Sequence, residues 1–559
     1  MKSWSKILAG ALCFALAACN NDDIVKNEDD VENGVYMQFK VELPIATRSE
    51  TNTPGDEDYG TSTGGTEEGT KDENDVTQGV LVVLTTPDNK FIASKWSQGS
   101  DGTEGVAAST YTVQLTETAL RGQAGQKVLV YAFCNPTQDL KDKAEKFNKG
   151  ELLTVGNATY SLSAPTNMDI CTNGKFLMSN ATQASTVLPE SFSGHKTKEN
   201  AIDLGTVKVE RAVARFDYKQ GPAKEDDGDA ATATYNVVKN DEGKTLIQVQ
   251  LTHIAMINMS KEFYYLRRVC KANTDGNADF LNVTLCGVET AQNYVVDTDF
   301  SAKSTYSGDD DLTSHFFYSL GRFENGNWLL NRTEWVWKKL SDLTKEADPG
   351  NWTNAPSGID KTGYRVWQYG TENTIPVQLR QKNGISTGIV FKGKILATDE
   401  NISLKQAMSA GEDIYMFNNA LYTIGELEKL PEGTAVQNAY KEVMAEVGGG
   451  VPTDAQWTSK GFTIYSPNNG EYEVLYYYWN QHNNNLDPAK MGPMEFGVVR
   501  NNVYKLCVDK ISLLGHPTDP GKDPDPVDPD DPDEDSEVYF KVSVNVLPWV
   551  VRVNNIVFD

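Results

Sequence analysis

The chain has 559 residues, of which 39% are hydrophobic and 10% aromatic, too many for one core at about 100–200 residues per domain, so two or three domains are expected. Its 24 Tyr and 45 Gly accompany a formal charge of −27, a balance that repels a polyphosphate backbone and excludes nucleic acid as a partner. The seven cysteines include no CxxC pair and the five histidines are scattered, so neither a metal nor a cofactor site is expected.

The first element is an export signal. Met1–Cys19 carries Lys2 and Lys6 before an apolar run from Ile7 to Ala18, too short to span a membrane and typical of a secretory leader. Its end, Leu16-Ala17-Ala18-Cys19, resembles the lipobox of bacterial lipoproteins, in which cleavage precedes the cysteine and the thiol of Cys19 receives lipid. Asn20-Asn21-Asp22-Asp23 then resembles the export tags of surface-exposed lipoproteins. With Cys13 removed and Cys19 lipidated, five thiols remain, an odd number that argues against a disulfide framework.

Three segments look unable to form core. Asn20–Asn33 is an acidic tether, and Ser49–Asn74 is a Gly-, Thr- and acid-rich linker with little to bury. Gly515–Glu537 is a run of Asp-Pro steps, read as an extended, self-repelling spacer with neither strand nor helix. Its aspartates lack the Gly and bidentate Glu of a 12-residue calcium loop.

Between the spacers the pattern predicts strands at Val80–Leu84, Lys127–Phe133, Thr206–Phe216, Leu246–Leu251, Gly388–Ile395, Glu471–Trp479 and Asn502–Ile511, all β-branched or aromatic and largely alternating. Short helices are expected near Asp139–Asn148, Leu404–Ala410 and Ala435–Val447. The fold class is therefore mainly β, as immunoglobulin-like sandwiches with decorated loops. A boundary near residue 205 gives an N-terminal sandwich over 79–205 and a C-terminal one over 206–514.

Two segments at opposite ends look like the same strand. Val35, Met37, Phe39, Val41 and Leu43 fall on one face of the first, and Val538, Phe540, Val542, Val544 and Val546 on one face of the other. Strands presenting the same face can occupy the same groove. Arg48, the first arginine, sits between the N-terminal strand and the acidic linker, where an extended chain can enter a protease. A sandwich that loses a strand exposes a groove and unpaired backbone, which a neighbour's strand can fill by β-augmentation. Such a contact runs head to tail and builds an open fibre. Pro548 is expected to divide the C-terminal segment into two strands, leaving open which of them is donated and which pairs internally.

These residues, with Val209-Glu210-Arg211-Ala212-Val213-Ala214-Arg215, Val498-Val499-Arg500-Asn501-Asn502-Val503-Tyr504 and the ending Val544-Asn545-Val546-Leu547-Pro548-Trp549, resemble the type V fimbrilin family of Bacteroidales, and within it the stalk-forming subunits of short fimbriae. The resemblance implies two transthyretin-like β-sandwiches, no catalytic activity, and a lipoprotein precursor at the outer membrane whose mature form lies in cell-surface fimbriae. It implies a signal over 1–18, a propeptide over 19–48 and cleavage between Arg48 and Ser49 by an arginine- or lysine-specific protease. An acidic linker over 49–78, a spacer over 515–537 and a donor segment over 538–559 complete the layout, the donor adding Trp549, Val551, Val553, Ile556 and Phe558 to the residues above. The implied partners are further copies of the chain, anchor and accessory fimbrial subunits, and host or bacterial surface receptors. The long acidic linker departs from the family pattern.

Other readings are an accessory or tip subunit, which needs no donated strand, and a glycan-binding surface lipoprotein using Trp328, Trp335, Trp337, Trp352 and Trp367 as stacking platforms. No nucleophile elbow, P-loop or HExxH pattern supports an enzyme.

Overall fold

A computed structural model describes residues 34–43, 67–69, 71–99, 109–150, 159–163, 170–171, 175–222, 224–290, 292–303, 305–306, 312–324, 327–343, 364–376, 381–483, 491–524 and 540–550. The signal, Cys19, Arg48, Ser49, Val538, Val551, Val553, Ile556, Phe558 and Trp352 lie outside the described residues.

The first strands are β1 (Gly34–Glu42), β2 (Glu67–Glu68), β3 (Val80–Thr85), β4 (Phe91–Ser97), β5 (Thr110–Thr116), β6 (Lys127–Cys134), β7 (Met178–Asn180), β8 (Ala184–Val187) and β9 (Ile202–Arg211). All but β2 form an eight-stranded sheet in the order β4-β3-β6-β7-β9-β1-β5, with β8 also on β6. Residues Val80 to Leu84 of β3 are buried throughout, as expected of an interior strand covered on both faces.

The remaining strands used below are β10 (Ala214–Lys219), β11 (Thr234–Lys239), β12 (Thr245–Ile257), β13 (Arg365–Gly370), β14 (Asn373–Thr374), β15 (Gly388–Ala397), β16 (Glu473–Trp479), β17 (Gly497–Val498), β18 (Asn502–Ile511), β19 (His516–Pro517) and β20 (Phe540–Val550). A five-stranded sheet has the order β2-β20-β18-β10-β13. A seven-stranded antiparallel sheet contains β11, β12, β15, β16 and β19. One contiguous hydrophobic core joins Val35 and Val82 of the first sheet, Phe216 and Tyr504 of the second, and Val249 and Phe391 of the third.

Helices α1 (Gln138–Lys146), α2 (Phe300–Lys303), α3 (Ile402–Ala410) and α4 (Ala435–Val447) are short. Thr137, Asn401 and Thr434 accept backbone N–H groups at the starts of α1, α3 and α4. Gly411 and Gly448, at φ 75° and 55°, end α3 and α4 in the left-handed conformation that glycine adopts most readily.

The mainly-β expectation is met, with four local corrections. The run Thr206–Phe216, expected as one strand, is two, β9 and β10, in different sheets, with the bend at Ala212–Val213. Apolar periodicity continues across this bend; hydrogen bonds break the strand, since Ala212 N–H donates to Leu177 O and the Val213 carbonyl accepts from Asn501 N. The linker is not wholly solvated, because Glu67–Glu68 forms β2, Lys71–Asn74 a helical turn, and Glu73 and Asn74 are buried. Nor is the spacer wholly unstructured: β19 pairs with β16, Pro520–Lys522 forms a 3₁₀ turn, and His516 lies 2.6 Å from Asp523. Finally, β20 runs unbroken through Pro548, which pairs with Asn502. On the other flank of β20, among the described residues, only Trp549 and Val550 are paired, and an edge position tolerates a residue without an N–H.

Candidate functional site

β1 is an interior strand. It pairs in parallel with β9, where Met37 faces Ile202 and Val41 faces Val207, and antiparallel with β5, where Val35 faces Leu115 and Phe39 faces Tyr111. Val35, Met37, Phe39 and Val41 are 0% exposed and Leu43 5%, while Lys40 on the opposite face is exposed. The Phe39 and Tyr111 rings stack with centroids 6.0 Å apart. The five apolar side chains predicted for this face therefore share one buried site, worth roughly 8–15 kcal/mol gross at about 1.5–3 kcal/mol each. Removing β1 leaves β5 and β9 as facing edges with unpaired backbone groups and an apolar floor.

At its C-terminal end β9 leads into a joint made of charged side chains that are all buried. Arg211, Arg215 and Arg500 are 0% exposed. Arg211 donates to the Glu73 carbonyl (3.0 Å), to the Asn501 side-chain oxygen (3.3 Å) and to the Asn74 side-chain oxygen. Arg215 makes a two-pronged pair with Asp217 (2.9 Å on each oxygen) and reaches Glu73 at 3.2 Å, whose other carboxylate oxygen accepts from the Tyr369 hydroxyl at 2.7 Å. Arg500 pairs two-pronged with Glu372 at 2.7 and 2.6 Å and donates to the carbonyls of Tyr264 and Tyr265. Such planar bidentate pairing is what lets guanidinium groups persist without water. Asn501 holds φ 57°, a left-handed turn that asparagine tolerates, and so presents its oxygen to both the backbone and the side chain of Arg211. Glu210 pairs with Arg267 at 3.0 Å, and burial pushes its carboxyl up to about 7 against the pull of that arginine.

The two arginine-bearing motifs singled out in the sequence thus meet in space, and they hold the segment that follows Arg48. Glu73 and Asn74 had no sequence signal, being two polar residues in an acid-rich stretch. Two arginines inside an apolar strand do, however, demand acceptors from somewhere.

The C-terminal residues occupy a different sheet from β1. Phe540, Val542, Val544 and Val546 lie in β20, which is antiparallel to β18 with Val542 facing Val508, Val544 facing Leu506 and Val546 facing Tyr504. Trp549 and Val550 lie parallel to Glu67 and Glu68 of β2. The strand resembling β1 is therefore paired within its own chain over Phe540–Val550, and is tied there to the segment that lies between Arg48 and the first sheet.

Of the tryptophans considered as stacking platforms, Trp335 and Trp367 are buried at 5% and 4% exposure. Trp337 is half-buried, tilted 62° to Trp335, with Lys392 Nζ 4.9 Å from its ring centre. These three do not form an exposed coplanar array. Cys134, Cys171, Cys270, Cys286 and Cys507 are all buried thiols outside any disulfide. Among the described residues no group of three or more His, Cys, Asp or Glu is placed to hold a metal, and no helix is long and apolar enough to cross a membrane.

Residues 470–555, which contain β16 to β20, match the family described as major fimbrial subunit protein type IV, fimbrillin, C-terminal. The match covers the C-terminal strands and likens them to those of a fimbrial subunit. That stretch is similar to the C-terminal part of fimbrillins, in line with the resemblance read from the sequence. Two similar solved structures come from Porphyromonas gingivalis. One is a fimbrilin, FimA, of strain W83, at 14% identity over 94% of this chain and 99% of that one with a TM-score of 0.37. The other is the tip fimbrial protein Mfa3 with C-terminal truncation, at 11% identity over 92% and 100% with a TM-score of 0.34. At those scores the superpositions carry no argument about this chain. No curated protein matches it.

Proposed function

We propose that the chain is a stalk-forming fimbrial subunit, exported as a lipoprotein lipidated at Cys19, cleaved between Arg48 and Ser49, and polymerised by strand exchange into the site of β1. The observation that carries this reading is the place of β1: an interior strand, buried over its whole apolar face, that precedes the rest of the fold in the chain. Cleavage after Arg48 separates β1 from its chain, and its loss opens a groove between β5 and β9. The groove accepts apolar side chains on alternate residues, and the C-terminal segment of another copy is rich in residues that can fill it. With Phe540–Val550 paired to β18, the residues most readily given to a neighbour are the last nine, 551–559, which include Val551, Val553, Ile556 and Phe558.

The test compares three chains after treatment with an arginine-specific protease: the native one, Arg48→Ala, and one ending at Val550. The native chain is expected to form ladders on an unboiled gel and both variants to remain folded monomers. Ladders persisting in both variants contradict strand exchange at these sites.

A further inference from the structure

A second buried polar cluster, in the C-terminal half, takes no part in the joint. It joins α2, the residues just before it, and β14. Lys303 and Asn373 are 0% exposed, Asp297 2% and Asp299 4%. Lys303 Nζ lies 2.6 Å from Asn373 Oδ1, 2.6 Å from Asp297 Oδ2 and 3.2 Å from Asp299 Oδ1. Asn373 is fixed with its oxygen toward the lysine, because its Nδ2 donates to the carbonyls of Ile385 (2.8 Å) and Asn258 (3.3 Å) and to Thr387 Oγ1 (2.8 Å). Asp297 is oriented by the Thr374 N–H at 2.7 Å.

This arrangement differs from an ordinary buried ion pair in two respects. First, the ammonium donates to an amide oxygen: with a carbonyl bond of about 1.23 Å, the 2.6 Å contact to Oδ1 leaves Cγ no more than about 3.8 Å from Nζ. That distance borders the range from which bonds form, about 3–3.5 Å. Second, there are two carboxyl groups for one ammonium in a site without solvent. The two carboxyl groups also lie against each other, with Lys303 the cation shared between them. Burial holds the Asp297 carboxyl well above its ordinary range despite the pull of Lys303. Despite burial, Lys303 holds Asp299 below its ordinary range and is itself held above its own, so Asp299 is the carboxylate and Asp297 the acid beside one amine.

We propose that Lys303 and Asn373 join in an intramolecular isopeptide bond, with Asp297 and Asp299 carrying the protons. Lys303 passes a proton to a neighbouring carboxylate, and the freed Nζ lone pair attacks Asn373 Cγ, moving the carbonyl π pair onto Oδ1. On collapse the Cγ–Nδ2 bond breaks. The departing nitrogen takes protons from the carboxyl group and from Nζ, and leaves as ammonium. An amide and an ammonium replace a carboxamide and an alkylammonium, so atoms and charge balance without an oxidant or co-reactant. The bond spans 70 residues of sequence and fastens α2 to β14, whose partner β17 lies two residues before Arg500.

The test is peptide mass analysis of the native chain after protease digestion. The expected result is a branched species joining the peptides of Lys303 and Asn373, lighter than their sum by about 17 Da, the mass of one ammonia. The Asp297→Ala variant is expected to give the two peptides separately at full mass. If that variant does not fold, the native chain alone decides. Both peptides recovered unlinked at full mass from the native chain overturn the proposal, as does a loss of about 18 Da mapped to Lys303 and an aspartate, which is a different bond.

Discussion

Arg215 shows how single residues set the stability of the joint. It lies between two buried carboxylates, Asp217 and Glu73, so removing its charge takes the guanidinium from both. Arg215→Met is therefore expected to cost about 3–5 kcal/mol, the usual penalty for breaking a buried pair from one side, read as a lowered urea midpoint. Glu210 gives a pH dependence whose sign can be fixed. Its carboxyl is raised from 4.5 to about 7 in the fold, so between those values the folded chain holds a proton that the unfolded chain releases. The stability this group contributes is present below pH 4.5 and lost as pH rises through 7. Glu210→Gln, which keeps the shape and removes the titration, is expected to flatten the decline in stability between pH 5 and pH 8 by about 2–3 kcal/mol. An unchanged slope in denaturation midpoints contradicts this. The Cys286 and Cys507 thiols are each pushed up to about 12 and Cys270 to about 11 by burial. They are expected to resist alkylation at pH 8 until denaturant is added, as followed by mass.

At the scale of elements, β1 carries the argument. Phe39→Asp places a charge in a site that is 0% exposed, and is expected to destabilise the uncut precursor by about 3–5 kcal/mol. If β1 leaves on assembly, the same substitution leaves polymers built from the cut chain unaffected, which separates a folding role from a place in the fibre. Much at this scale was legible in sequence. β18 begins at Asn502 and ends at Ile511 as its alternation predicts, and the buried face of β1 follows from a strict period of two. α4 also matches, since Thr434 and Gly448 bracket it chemically. What escaped was set by contacts distant in sequence. The bend at Ala212–Val213 depends on Leu177 and Asn501, and the ordering of the linker depends on Glu73 finding Arg215, 142 residues away. Lys303 and Asn373 each look like surface polar residues until the fold brings them together. Pro548 misled because its cost in a strand depends on which flank is paired, and that is a property of the sheet.

For the whole molecule, the acidic charge is not uniformly a solvating coat. Part of the linker after Arg48 is built into the joint through Glu73 and Asn74, and β2 lies along the end of β20, so Glu67–Glu68 and the C-terminal strand share one sheet edge. In the strand-exchange account the acidic stretches beyond these contacts keep the exchanging segments extended, while the joint keeps the two ends of the subunit registered. The central claim is that the vacated site of β1 is where the next subunit binds. The most direct measurement is the size distribution of the Arg48-cut chain during assembly, with and without an excess of a synthetic peptide of Gly34 to Leu43. The account predicts that the peptide refills the groove and holds the chain as monomers or short oligomers. Polymers of undiminished length in saturating peptide would contradict it.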